Sequence, residues 1–127
     1  MRFYIADDTR GFAEFCADVA GRDGWQVTIC GDGKELASQL KLEDVPALVF
    51  VDIQMPILDG IEVIEELKSI DRKLRVRFVT GGPLSSALAA RMIADARGLD
   101  TGRFLTKPIS LATLRGVLAE EAQCLDA

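Results

Sequence analysis

The sequence has 127 residues, 49% of them hydrophobic and 28% charged, with a formal net charge of -5 and no histidine. That length predicts one domain spanning residues 1–127 with a buried core of its own; the acidic balance argues against direct nucleic acid binding, whose affinity comes from neutralised phosphates. Without histidine the chain has no Ser-His-Asp or Cys-His catalysis, no histidine-ligated metal and no phosphohistidine of its own, so such chemistry must come from a partner.

In chain order, "RFYIA" from Arg2 reads as a strand and runs into Asp7-Asp8 before any signal-peptide core forms. The longest apolar runs are too short to cross a bilayer, so a cytoplasmic protein without membrane insertion is expected. Phe12, Phe15, Cys16 and Val19 then fall on one helical face. "WQVTIC" alternates Trp25, Val27 and Ile29 with polar residues, as an edge strand does, and Leu36 and Leu40 mark a short helix. "ALVFV" from Ala47 is continuously apolar and ends at Asp52, which predicts a central strand buried on both faces. Ile61, Ile64 and Leu67 give the next helix, "RVRFVT" from Arg75 the fourth strand, and Leu84, Leu88 and Met92 the apolar face of a fourth helix. "GRFLT" from Gly102 reads as the fifth strand, followed by a helix carrying Leu111, Leu114 and Leu118.

The strands start every 22 to 28 residues, the length of one strand plus one helix. This predicts an α/β fold: a flavodoxin-like, doubly wound, five-stranded parallel sheet in the order 2-1-3-4-5 with helices on both faces. The cysteines Cys16, Cys30 and Cys124 are odd in number and form no CxxC pair. They argue against a disulfide framework or zinc site, and the first two are expected as buried, reduced thiols.

In such sheets ligands bind beyond the carboxyl ends of the strands where the order reverses, here between strands one and three. Asp7, Asp8 and Asp52 therefore converge. Two carboxylates about 5 Å apart repel by roughly 3 kcal/mol at an effective dielectric of 20, so three together need a cation or a proton. A hard divalent ion held by oxygens, Mg²⁺ with retained waters, suits a site that must also accept phosphate. Taken singly, each aspartate could instead cap a turn or helix. Thr80 closes the fourth strand and could donate to an oxyanion, with an ordinary "TGGP" turn as its alternative. Lys107 closes the fifth strand and could serve as a cation for phosphate, with Pro108 after it raising the frequency of a cis bond that would set the lysine's direction.

Asp7-Asp8, "VDIQMPILDG", Thr80-Gly81 and Lys107-Pro108, in this order on these strand ends, resemble the receiver domain of two-component response regulators, of the chemotaxis-regulator type. The resemblance covers nearly the whole chain. It implies that Asp52 is the phosphoacceptor for a phosphoryl group from a histidine kinase or histidine phosphotransfer protein. It also implies that Asp8 binds Mg²⁺ directly, Asp7 largely through water, and the backbone carbonyl of Gln54 as a further ligand. Met55-Pro56 and Asp59-Gly60 would shape the following loop and start the next helix. Thr80 and Phe104 would form the switch, with Phe104 equally readable as an edge-strand core residue, and Gln54 and Gly82 would flank the water that removes the phosphate. A chain of this kind catalyses only its own phosphorylation and dephosphorylation. It signals through a downstream effector protein or a fused output domain, with a homodimer as a further assembly. The segment between Thr80 and Lys107 is longer than in the common family, and "TGG…LAARMIADARGL…LTKP" faintly resembles receivers attached to EAL-type cyclic-di-GMP phosphodiesterases.

Competing readings fail on spacing. A haloacid-dehalogenase-type phosphatase needs Asp-x-Asp after an early strand, whereas "ADDTRG" has adjacent aspartates and Asp52 stands alone. A flavodoxin phosphate loop is rich in Ser, Thr and Gly, where this chain offers acids; a Walker A loop and an EF-hand spacing are both absent. The remaining alternative is a receiver-like module that takes no phosphate and works as a constitutive protein-interaction domain. Asp95, Arg97, Asp100 and Arg103 near the fifth strand could serve a dimer contact or stand as solvated charges.

Overall fold

The structure, a computed structural model, describes residues 1–54 and 60–126. Met55-Pro56 and Asp59 lie outside the described residues. The elements run β1 (Arg2–Ala6), α1 (Arg10–Arg22), β2 (Gln26–Cys30), α2 (Gly33–Leu40), β3 (Ala47–Asp52), α3 (Gly60–Lys68), β4 (Leu74–Thr80), α4 (Leu84–Ala96), β5 (Asp100–Thr101), β6 (Leu105–Thr106) and α5 (Leu111–Asp126). All strands pair in parallel in the order β2-β1-β3-β4-β5, and β6 also pairs with β4. The expected sheet order therefore holds, with β3 central and every one of its residues buried.

Period-2 alternation sorts β1 and β3 between two apolar layers. Tyr4, Ala6, Val49 and Val51 face α2, α3 and α4 with Leu36, Leu40, Ile64 and Leu67. Phe3, Ile5, Leu48 and Phe50 face α1 and α5 with Cys16, Val19, Leu114 and Leu118. Phe3 meets Trp25 and Phe50 edge-on, with ring centroids 5.9 and 4.7 Å apart, the geometry that ring quadrupoles favour. Cys16 and Cys30 are buried free thiols, and desolvation pushes both up to about 12. They stay protonated and act as small apolar side chains.

Helix ends carry local signals. Asp32 caps α2 by accepting from the Glu35 N–H at 2.8 Å, and Glu35 reaches back to the Gly31 N–H. The α4 end turns at Gly98, φ +88°, with Gly98 donating to the Asp95 carbonyl and Leu99 to the Ala94 carbonyl. That pair of bonds needs a left-handed residue, which glycine supplies without a Cβ penalty.

Three expectations require correction. Leu84, Leu88 and Met92 do share one face of α4, but that face is solvent-exposed, at 56, 49 and 63% of full accessibility. The packed face is Ala87, Ala90 and Ala94, whose small side chains let the helix backbone lie close to the sheet. On α5, Leu111 is likewise exposed, whereas Leu114 and Leu118 are buried.

The fifth strand is not the continuous "GRFLT". Thr101 pairs with Val76 and Leu105 with Val79, so three steps along β4 match four along its neighbour. One extra residue is bulged out within Gly102–Phe104. The bulge lies beside an ionic cluster on β4, where Arg75 and Arg77 project toward α5 in place of apolar residues and grip the fully buried Glu121. Gly102 passes directly beside this cluster, where a Cβ would sit 2.6 Å from Arg77 Nε and 3.1 Å from Glu121 Oε1.

Candidate functional site

The strand register sets the site. Ala6 is level with Val51, Asp52 with Val79, and Thr80 with Thr106. Asp7, Asp52, Thr80 and Lys107 consequently emerge side by side at the carboxyl edge of the sheet. The backbone seals that edge: the Asp7 N–H donates to the Cys30 carbonyl and the Lys107 N–H to the Thr80 carbonyl, at 3.0 and 2.8 Å. The Lys107–Pro108 peptide is cis.

Three strand ends repeat one local device. The Thr9 N–H donates to Asp7 Oδ1 at 2.7 Å, the Gln54 N–H to Asp52 Oδ1 at 3.0 Å, and the Gly82 N–H to Thr80 Oγ1 at 2.9 Å. Asp and Thr make such bonds to the backbone two residues on because their side chains are short. The first two bonds tie one oxygen of each carboxylate and leave the second to the site. Those second oxygens meet the same cation: Lys107 Nζ lies 2.8 Å from Asp7 Oδ2 and 3.4 Å from Asp52 Oδ2. The hydroxyl of Thr80, having accepted from Gly82, keeps its proton to donate.

Asp7 and Asp52 are 3 and 4% exposed, while Asp8 is open to solvent. Burial raises the Asp52 carboxyl above the ordinary aspartate range and neighbouring Asp7 adds to this, against the Gln54 N–H and Lys107. Burial works against the Lys107 charge, but the carboxylates of Asp7 and Asp52 outweigh it and raise the ammonium above its usual value. One carboxylate oxygen from each of Asp7, Asp8 and Asp52 lies within 4.8 Å of the others. Asp7 Oδ2 is buried and lacks an aligned hydrogen bond, with only the nearby ammonium to compensate it. An oxygen-only donor set whose buried oxygen is held by a single ion pair fits a hard divalent cation. A cleft of about 430 Å³, lined by Asp7, Asp8, Arg10, Ile29, Gly31 and Glu35, opens beside the acids.

The Gln54 carboxamide lies across Gly82, where a Cβ would come within 2.3 Å of its Nε2, so these two residues face one another at the rim. Phe104 is half-buried within the bulge rather than in a strand, and packs against the layer formed with α2, α3 and α4. Two neighbours of Lys107 were not expected from sequence. Thr9 Oγ1 lies 3.5 Å from its Nζ, and the Phe12 ring centroid 4.7 Å from it. Phe12 carried only the signal of a helix core position.

The model of the response regulator receiver domain matches residues 3–119 of this sequence. The chain belongs to that family. Among relatives of this receiver, the response regulator MprA of Mycolicibacterium vanbaalenii is 33% identical over 116 residues, which are 90% of this chain and 47% of the relative. The receiver thus spans about half of that protein's length. A CheY-like receiver domain from Methanospirillum hungatei superposes with a TM-score of 0.79 at 22% identity, covering 98% of this chain and 93% of the other. The receiver domain of a Pseudomonas aeruginosa sensor histidine kinase superposes at 0.72 and 19% identity, covering 94% of each chain, and holds a magnesium ion in its active-site cleft.

Proposed function

We propose that this receiver accepts a phosphoryl group on Asp52 from the phosphohistidine of a histidine kinase or phosphotransfer protein, in a Mg²⁺-dependent reaction that switches its output surface. The observation that carries this reading is the meeting of Asp52 with Asp7, Asp8 and the Lys107 ammonium at the end of a fully buried strand. The rigid strand and the Gln54 N–H aim the carboxylate. Its oxygen attacks phosphorus, a P–O bond forms as the P–N bond of the donor breaks, and the electron pair leaves on the partner's imidazole. Lys107 is placed to neutralise charge on the phosphoryl oxygens, and the Thr80 hydroxyl to donate to one of them. Asp7, Asp8, Asp52 and the Gln54 carbonyl would hold the Mg²⁺, which when bound supplies charge neutralisation at the transferring group. The magnesium in the Pseudomonas receiver's cleft supports this assignment.

Thr80 and Phe104 form the switch in this reading, biasing two conformations of the α4–β5–α5 side. The chain acts as an enzyme only on itself. Its partners are the phosphodonor and a downstream effector or fused output domain, with a homodimer as one form of output, in the cytoplasm. Among the described residues no helix is long and apolar enough to cross a membrane. The test is intact mass after incubation with acetyl phosphate, with and without Mg²⁺, beside Asp52→Asn. One Mg²⁺-dependent phosphoryl adduct, absent from the variant, is expected. An adduct that persists in Asp52→Asn would show that the nucleophile lies elsewhere.

A further inference from the structure

Lys107 is a flexible four-carbon stem ending in a point charge, and its direction depends on what surrounds the ammonium. Three acceptors do so: Asp7 Oδ2 at 2.8 Å, Asp52 Oδ2 at 3.4 Å and Thr9 Oγ1 at 3.5 Å. The fourth neighbour is the ring of Phe12, centroid 4.7 Å away. The nearest partner, Asp7, is also a member of the candidate metal cluster. A divalent cation there, reached by Asp7 directly or through water, would compete with the ammonium for that carboxylate and repel it, so the lysine's shortest contact would weaken when the site is loaded.

The ring is a partner that the metal does not compete for, because an aromatic face attracts an ammonium but offers a hard cation no oxygen. It is also held in place. Phe12 sits in the first turn of α1 and its half-buried side chain packs on the layer formed with α1 and α5. We propose that Phe12 is a positioning residue for Lys107, whose ring keeps the ammonium over Asp52 once Asp7 is committed to the metal. This rests on the phosphoacceptor reading of Asp52.

Phe12→Leu keeps an apolar side chain of similar bulk and removes the aromatic face, and Phe12→Tyr retains that face. With acetyl phosphate and saturating Mg²⁺, Phe12→Leu should slow adduct formation about two- to fivefold, the scale of a partly exposed cation–π contact. Its Mg²⁺ dissociation constant should stay unchanged, and Phe12→Tyr should restore the rate. In a Lys107→Met background the Phe12→Leu change should have no further effect on rate. Separately, urea unfolding without Mg²⁺ or phosphate should show Phe12→Leu lowering the folded-to-unfolded ratio more with Lys107 present than with Met at that position, by about two- to fivefold. Equal losses in both backgrounds, or a Phe12→Leu rate equal to that of the wild type, would overturn the inference and leave Phe12 an ordinary core residue. Wild-type protein that takes no phosphate from either acetyl phosphate or a phosphohistidine donor would overturn the phosphoacceptor reading and the catalytic half of this one. The unfolding cycle would still decide the ring–ammonium contact, because no phosphate enters it.

Discussion

In the proposed reaction a divalent cation would compete with Lys107 for the same carboxylates. In the structure the ammonium bridges Asp7 Oδ2 and Asp52 Oδ2, standing in for part of the positive charge that three convergent acids require. Replacing it by an uncharged side chain of similar length removes that competitor and its repulsion of the metal. Lys107→Met should therefore bind Mg²⁺ more tightly, by about tenfold or more, since a divalent ion and an ammonium about 4 Å apart repel by about 2 kcal/mol even at the dielectric of water, while taking up phosphate more slowly. Calorimetric Mg²⁺ titration of the two proteins checks the first half, and an unchanged affinity would mean that the lysine leaves Asp7 freely. At this scale much of the site was legible. Asp7, Asp8, Asp52, Thr80 and Lys107 each stand at or just beyond the end of a strand that the apolar pattern marks out, and a parallel sheet gathers such ends along one edge. The role of Phe12 was not legible, because an aromatic at helical spacing reads as core until the fold brings strand and helix ends together.

The β4–α5 contact is the element that departs most from an ordinary α/β core. Arg75 reaches Glu121 at 2.7 and 2.9 Å and Asp100 at 2.6 Å, and Arg77 reaches Glu121 at 3.0 Å through Nε and 2.9 Å through Nη2. Asp100 connects this cluster to β5, while Thr101 and Arg91 bond Asp95 on α4. Arg97 pairs with Glu65. The charges of Asp95, Arg97 and Asp100 are thus engaged within the molecule. Burial alone would raise the Glu121 carboxyl, but its hydrogen bonds to Arg75 and Arg77 outweigh it and hold the group below the usual 4.5. A carboxyl lowered in the folded state stabilises fully above its unfolded value, and that contribution is lost as pH falls below about 4.5 and through the folded value. Glu121→Gln should cost about 3 kcal/mol near neutral pH, since it removes the buried carboxylate that both guanidinium groups share and, among the described residues, leaves Arg75 only the exposed Asp100 carboxylate and Arg77 only the exposed Glu120 carboxylate. Urea unfolding at pH 7 and at pH 4 checks this, with the gap between variant and wild type narrowing at the lower pH. The sequence held traces of this cluster: two arginines alternate within "LRVRFVT", and Glu121 falls three residues after Leu118 on the buried stripe of α5. Their meeting across the sheet, beside the bulge at Gly102–Phe104, depends on a pairing distant in sequence.

For the whole molecule, the same acids that offer a function cost stability until a cation joins them. A ligand that binds only the folded state stabilises it by mass action. Mg²⁺ at 100 times its dissociation constant should raise the unfolding free energy by about 2.7 kcal/mol. A chelator should reverse the gain, and Asp8→Asn should abolish most of it; equal unfolding curves with and without the ion would mean that the folded chain binds no Mg²⁺, and a gain undiminished in Asp8→Asn would place the metal outside the acid cluster. The surface makes a second claim. Because Leu84, Leu88 and Met92 face solvent, Leu88→Ser should change stability by no more than about 0.5 kcal/mol. Ala94→Leu, on the packed side of the same helix, should cost about 1–3 kcal/mol by overpacking. Thermal or urea unfolding of the two variants distinguishes the faces directly.

The amino-acid sequence by itself determined the strand–helix alternation, the sheet order, the central place of β3 and the set of acidic and basic residues along one edge. These follow from local periodicity, from right-handed crossovers and from the common direction of parallel strands. Only the tertiary structure decided which face of α4 is buried, where the fifth strand breaks and which side chains surround Lys107. Apolar size made Leu84, Leu88 and Met92 look like the packed face, yet the close approach of α4 to the sheet selects Ala87, Ala90 and Ala94. The break lies beside Glu121, which reaches Arg75 and Arg77 across more than forty residues of chain. Phe12 reaches Lys107 over a still longer separation. Periodicity reports how a residue relates to its neighbours in the chain, whereas these contacts arise from the docking of one element on another.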